Sequence, residues 1–244
     1  MFRLTQWRGL LGAALITAIS GCAHSPPDQP DDPLEPVNRA VFKFNRVADR
    51  YVLRPIAKGY DTVTPVRVKK GVTNFFNNLA EPTTIVNGAL QGKFKQAASD
   101  TGRFLLNSTA GFAGILDVAG PAGMPRHDED FGQTLGYYGV GTGWYLMVPL
   151  LGPSDNRDIL GRGADYFTLP LKYVQNNNSH EDGVFYGATF VNLVNLRASL
   201  LSADDILNEA LDPYVLVRTA YLQNRLSKVY DGNPPKELLY GTDE

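Results

Sequence analysis

The chain has 244 residues, 23 Lys+Arg against 25 Asp+Glu for a formal net charge of −2, and 43% hydrophobic residues. This near-neutral balance leaves no basic footprint, so nucleic acid is excluded as a partner, while the apolar content is ample for one sizeable core. A lone cysteine, Cys22, excludes an intramolecular disulfide in any compartment.

At the N-terminus Arg3 and Arg8 precede an apolar run, Gly9 to Ile19, that ends at small Ser20 and Gly21. Residues 1–21 therefore read as a secretory signal peptide, too short to span a bilayer. Ile19-Ser20-Gly21-Cys22 resembles the bacterial lipobox, which implies that Cys22 takes a diacylglyceryl group and becomes the first mature residue. Two acyl chains anchor stably, because each buried CH₂ contributes about 0.8 kcal/mol. Ala23 and His24 follow in place of aspartate, and the same resemblance then implies sorting to the outer membrane. Residues 22–33, rich in proline and aspartate, read as a lipidated flexible tether. Residues 34–230 read as one domain and 231–244 as a frayed C-terminal tail.

Helical periodicity dominates the domain. After Pro36, a stripe of Val37, Ala40, Val41, Phe44, Val47, Ala48, Tyr51 and Val52 predicts a first helix stopped by Arg54-Pro55. Phe42 lies off that stripe, among Arg39, Lys43 and Arg46. It reads either as a lone exposed aromatic or as part of an interfacial helix, entering the headgroup boundary while Arg39, Lys43 and Arg46 meet phosphates. A second stripe, Val68, Val72, Phe75, Phe76 and Leu79, is expected to end at Glu81-Pro82. A third is Phe94, Ala97, Ala98, Thr101, Phe104 and Leu105. Residues 111–123 are apolar and broken by glycine. "HDED" (127–130) gathers carboxylates beside a histidine, but ligands so crowded in sequence read as a solvated loop rather than a metal or acid–base centre.

From Gly132 to Pro153 there is no charged residue, and glycines alternate with Tyr137, Tyr138, Trp144 and Tyr145. Glycine at this density disfavours helix, which predicts loops and a short hairpin. The segment reads either as buried, glycine-packed core or as one that meets acyl chains through Tyr138, Trp144 and Tyr145. "GVGTGW" is not the GxGxxG spacing of a dinucleotide loop, and "GPSDN" is not GxSxG. No nucleophile has a base beside it, so no enzyme activity and no cofactor are expected. Residues 184–201 predict a helix with an apolar stripe (Phe190, Leu193, Val194, Leu200, Leu201) and an uncharged face (Ala188, Asn192, Asn195, Ser199). That face is either solvated surface or the wall of a water-filled passage. Ser202 with Asp205 suggests a capping box. Asp212-Pro213 then opens a last helix with Val215, Thr219, Leu222, Leu226 and Val229 on its stripe.

Several blocks in order carry a family resemblance. They are "DPLEPVNRAVFKFN" (32–45), Arg54-Pro55, "NFFNNLAEP" (74–82), "VNGALQG" (86–92), "RFLLNSTAGFAGILDVAG" (103–120), "EDFGQTLGYYGVGTGWYLMVPLLGPSDNRD" (129–158) and "DPYVLVRTAYLQ" (212–223). They resemble the MlaA/VacJ family of outer-membrane phospholipid-transport lipoproteins, with Trp144 standing where that family commonly has proline. The resemblance implies a mainly α, single ring-like domain of amphipathic helices lying in the membrane plane around a central channel, with a short glycine-rich hairpin region. It implies no reaction. Phospholipids mislocalised in the outer leaflet would pass through the ring to a soluble periplasmic carrier, and the protein would associate with a trimeric porin on the periplasmic side of the outer membrane. In that frame Asn192 and Asn195 are candidates for an uncharged lining and Phe42 for the lipid-facing rim. The alternative is a structural lipoprotein that braces a porin or the envelope.

Overall fold

A computed structural model describes residues 32–170 and 179–240; the signal peptide, Cys22 and the tether as far as residue 31 lie outside the described residues. The protein is mainly α, as the periodicity predicts, with one two-stranded hairpin.

Helix α1, Glu35–Ala48, carries a proline in its first turn, where the missing N–H would have had no helical partner. Arg54-Pro55 does not stop it. A five-residue π segment, Asp49–Leu53, leads directly into α2, Arg54–Val63, and the Arg54 N–H reaches back five residues to the Asp49 carbonyl. The wider turn gives the Pro55 ring the room that a regular turn denies it. Helix α3, Val66–Leu90, likewise runs through Pro82. Side-chain bonds hold it on both sides of the break: Asn78 Nδ2 donates to Ser108 Oγ at 2.9 Å, and Asn87 Nδ2 to Asp165 Oδ1 at 2.9 Å. These tertiary ties offset a local cost of about 3 kcal/mol for an interior proline.

Helix α4, Phe94–Thr109, packs along α3; α5, Phe131–Tyr137, and α6, Asn156–Asp165, pack together around the hairpin. The α5–α6 approach is so close that a Cβ on Gly161 would stand 2.4 Å from the Gly132 nitrogen. Strands β1, Tyr145–Val148, and β2, Gly152–Asp155, pair antiparallel with Tyr145 opposite Asp155 and Val148 opposite Gly152. The tight turn uses positive φ at Leu150 and Gly152. Helix α7, Ser179–Ser199, a 3₁₀ turn, Leu201–Ala203, and α8, Asp204–Glu209, follow. The expected Ser202–Asp205 capping box does not form: the α8 N-cap is Ala203, without a side-chain bond. Asp212 does cap α9, Pro213–Val229, accepting from the Tyr214 and Val215 N–H groups. Two expected boundaries shift. Asp32, assigned to the tether, accepts from Asn38 Nδ2 at 2.9 Å and from the Tyr214 hydroxyl, and Lys236–Tyr240 of the expected frayed tail forms a short helix, α10.

The polarity of the interior is inverted. On α4 the inward positions are Ala97, Asp100, Arg103 and Asn107, while Phe94, Ala98, Thr101 and Leu105 face outward. On α1 the buried residue is Asn38, and Val37 and Phe44, with Tyr51 and Val52 of the π segment, are exposed along the stripe. Asn78, Glu81, Asn87, Gln133, Asp155, Asp158 and Arg225 are all buried, whereas the buried apolar cluster is small: Tyr145, Met147 and Tyr214. Polar residues in the middle and aliphatic faces outside are the arrangement a hydrocarbon surround selects, because polar groups must then find partners within the protein. No single helix among the described residues is long and apolar enough to cross a membrane, and Gly183–Ser199 with Leu201–Glu209 qualifies only as a pair bent by 43°.

Candidate functional site

The elements close on themselves. Helix α1 packs on β1, β2 on α9, α9 on α8, α8 on the 3₁₀ turn, that turn on α7 and α2, and α2 returns through the π segment to α1. These elements line a cavity of about 1020 Å³. One part of its wall is apolar, with Phe42, Val47, Met147, Leu207, Leu216 and Val217; another carries Arg46, Asp49, Arg50, Arg54, Arg197 and Asp204.

The charged part is organised by Arg197. Its Nε and Nη2 donate to the two Asp49 carboxylate oxygens at 2.6 and 2.9 Å, and Nη2 also reaches Asp204 Oδ1 at 2.7 Å. Arg54 Nε donates to Asp204 Oδ2 at 2.7 Å. Burial pushes the Asp204 carboxyl up, but the bonds from Arg54 and Arg197 outweigh it and hold it below the usual carboxylate range. The Asp49 bond holds the Arg197 guanidinium firmly charged. Arg46 donates to neutral Asn208 at 2.8 Å.

The cavity wall carries charged residues beside uncharged Asn45, Asn208 and Asn224, and the two asparagines expected to line a passage do not stand on it. Asn195 is buried and does not line the cavity. It accepts from the Tyr60 hydroxyl at 3.0 Å and donates to Thr73 Oγ1 at 2.8 Å, tying α2, α3 and α7 together. Asn192 is half-buried on α7, also away from the cavity wall. Tyr145 is only 3% exposed and belongs to the core, edge-on to Tyr214 and Tyr221. Tyr138 and Trp144 are exposed on the surface, and the Tyr138 hydroxyl donates to the Leu90 carbonyl at 2.6 Å.

The first helix presents the face opposite to the one expected. Phe42 is half-buried, edge-on to Tyr214 with ring centroids 5.7 Å apart. Arg39 is engaged by Glu35 at 2.6 Å and by both oxygens of Asp212 at 3.1 and 2.7 Å, and it stacks 4.5 Å above the Tyr214 ring. Lys43 is exposed, and Arg46 turns into the cavity. "HDED" is not a solvated loop. His127 Nδ1 lies 2.7 Å from Asp100 Oδ1, Glu129 is buried against Gln91, Lys93 and Gln96, and Asp130 caps α5 while bonded by Arg225. Burial raises the Asp130 carboxyl, but Arg225 and Gln133 outweigh it and bring it down to about 2.

Asp49, Arg50, Arg197 and Asp204 were not singled out by sequence reasoning, and Arg54 only beside Pro55 as a helix stop and family block. Arg46, Arg50 and Arg54 recur every four residues, a basic row along one helical face, and that spacing was the available signal.

Fold and cavity together define a class: an α-helical protein of inverted polarity with an amphipathic cavity. The family model for the MlaA lipoprotein matches residues 30–228, and the chain belongs to that family. It is 38% identical over 213 residues to the Escherichia coli intermembrane phospholipid transport system lipoprotein MlaA, covering 85% of this chain and 82% of the relative. The Haemophilus influenzae protein of the same name is 36% identical over 228 residues, 90% of each chain. A solved structure concerned with the structural basis for maintenance of bacterial outer membrane lipid asymmetry superposes with a TM-score of 0.72 at 37% identity, covering 83% of this chain and 100% of its own.

Proposed function

We propose that this protein is an outer-membrane lipoprotein, anchored on the periplasmic side through Cys22, that removes mislocalised phospholipids from the outer leaflet. They pass through the ring cavity to a soluble periplasmic carrier for retrograde transport, which maintains lipid asymmetry. The ring works beside a trimeric porin, and the step involves no covalent chemistry and no cofactor. The observation that carries this reading is the circuit of packed elements with an apolar exterior, lining a cavity whose wall carries both charged and apolar side chains. The names of the E. coli and H. influenzae relatives support it.

Physically, a phospholipid crosses a bilayer slowly because its headgroup must leave water for hydrocarbon, where an unpaired charge costs several kcal/mol. A wall bearing arginine and aspartate replaces that hydration while Phe42, Met147 and Leu216 offer the acyl chains an apolar surface. Exterior side chains such as Phe44, Val52 and Leu105 keep the ring in the leaflet, and the acyl groups on Cys22 add a second anchor.

The test is deletion of the gene followed by surface labelling of phospholipid. Outer-leaflet phospholipid is expected to accumulate and to return to normal on complementation with the wild type but not with Cys22→Ser. Unchanged surface phospholipid in the deletion strain would overturn the transport reading in favour of a structural brace.

A further inference from the structure

The charges on the cavity wall do not cancel. Asp49 and Asp204 are its two carboxylates, and both are occupied: Asp49 by Arg197, Asp204 by Arg197 and Arg54. Two arginines thus satisfy two aspartates. Arg46 donates to the neutral amide of Asn208 and lies 6.0 Å from the Phe42 ring centroid, with no carboxylate within ion-pair distance among the described residues. Arg50 is exposed on the π segment and lines the same cavity, yet among the described residues no carboxylate stands within ion-pair distance of it. The wall therefore keeps a surplus of positive charge at Arg46 and Arg50, four residues apart, in an open cavity whose lining also includes Phe42, Met147, Leu216 and Val217. π segments are rare and frequent at functional sites; this one, which also makes room for Pro55, carries Asp49 and Arg50.

We propose that Arg50, assisted by Arg46, is the headgroup-reading residue of the ring, binding the phosphodiester of glycerophospholipids and favouring those of net negative charge, such as phosphatidylglycerol. A guanidinium presents a planar fork of donors that matches two phosphate oxygens. An unpaired guanidinium beside a partly desolvated wall gains more from an anion than one already holding a carboxylate. The apolar side of the cavity makes a lipid, rather than free phosphate, the fitting occupant. This inference rests on the transport reading above.

The experiment uses the mature, acylated protein in dodecyl maltoside, titrated calorimetrically with dihexanoyl phosphatidylglycerol, dihexanoyl phosphatidylcholine and dihexanoylglycerol. Arg50→Gln is expected to weaken phosphatidylglycerol binding about tenfold, phosphatidylcholine less, and dihexanoylglycerol not at all. Arg50→Lys should retain most of the affinity, and Lys95→Gln, an exposed lysine outside the cavity wall, should match the wild type. Thermal unfolding of Arg50→Gln should be unchanged, since Arg50 holds no carboxylate partner. Unaltered phosphatidylglycerol affinity in Arg50→Gln, with the wild type binding well, would overturn the role of Arg50 and leave the transport reading standing. Inorganic phosphate displacing the lipid at equal concentration would overturn the lipid headgroup as ligand. A wild type that binds none of the three lipids would overturn the transport reading itself.

Discussion

Asn38 and Asn45 stand seven residues apart on α1 and clamp the hairpin in the same way. Asn38 Nδ2 donates to the Tyr145 carbonyl at 2.9 Å while its Oδ1 accepts from the Met147 N–H at 2.8 Å. Asn45 Nδ2 donates to the Val148 carbonyl at 3.0 Å while its Oδ1 accepts from the Leu150 N–H at 2.8 Å. Each amide imitates a neighbouring strand, so two turns of helix close the open edge of β1. Asn38→Ala leaves a buried N–H and C=O unpaired and should destabilise the protein by about 2–4 kcal/mol, read as a lower unfolding temperature in detergent. Asn45→Ala, nearer the exposed tip, should cost roughly 1 kcal/mol but hasten proteolysis at Pro149–Leu151. Equal loss at both positions would contradict the difference in burial.

Glu81 predicts a pH dependence. It is 2% exposed, and its Oε1 finds no hydrogen bond among the described residues, with Arg103 Nε only 3.5 Å away. Burial pushes its carboxyl up to about 7, against the pull of Arg103. A carboxyl that holds its proton more tightly folded than unfolded stabilises the fold at low pH. That contribution is lost as pH rises from the ordinary glutamate value of 4.5 through about 7. Asp155, raised to about 6 by burial and by Asp158, acts in the same sense over a lower window. Glu81→Gln should therefore flatten the fall in unfolding temperature between pH 5 and pH 8 that the wild type shows. A parallel pH profile in wild type and variant would contradict a protonated Glu81.

How much of this was legible depends on how local the physics is. The mainly helical fold follows from three- and four-residue spacing, and the Asp212 cap and the hairpin follow from residue types within a few positions. Periodicity says which residues share a face, but not which solvent that face meets. Phe42 was therefore read as an exposed or interfacial aromatic although it rests on Tyr214, and the stripe with Phe44, for which the spacing fixed no solvent, lies outside. Pro55 and Pro82 read as stops because local propensity is all a sequence displays there, whereas the bonds that carry α3 past Pro82 come from Ser108 and Asp165. The cavity wall was beyond reach for a similar reason. Arg197 meets Asp49 across 148 residues, and neither position is unusual by itself.

That same pair supports a prediction about the ring. Arg197 joins the end of α7 to both the π segment and α8, with the Arg197 side chain 13% exposed. Arg197→Met would leave Asp49 without a partner and half-release Asp204, at a cost of roughly 1–3 kcal/mol. Arg197→Lys should recover little, because a single ammonium cannot reproduce the bidentate fork. Unfolding temperature in detergent checks the first statement, and accessibility of a cysteine placed at Asn224 on the cavity wall checks whether the ring has loosened. Full recovery by lysine would mean that charge alone, rather than geometry, holds this junction.

The two phenylalanines of α1 separate membrane contact from packing. Phe44 and Val52 lie on the exposed stripe and outside the cavity wall, while Phe42 packs on Tyr214. In a Cys22→Ser background, where no acyl anchor masks the effect, Phe44→Asp with Val52→Asp should reduce binding to phosphatidylcholine vesicles by tenfold or more. Two large apolar side chains lose about 1.5–3 kcal/mol each on transfer. The unfolding temperature in detergent should barely move. Phe42→Asp should do the reverse, lowering that temperature by driving a charge against the buried Tyr145–Met147–Tyr214 cluster, with vesicle binding of the folded fraction preserved. Phe44→Asp alone matches Phe42→Asp in the charge added and lies on the same helix, so that single variant is the control for charge. If Phe42→Asp weakened vesicle binding more than the Phe44/Val52 pair did, the lipid-facing side of α1 would be the polar one, and the inverted polarity of the fold would need another explanation.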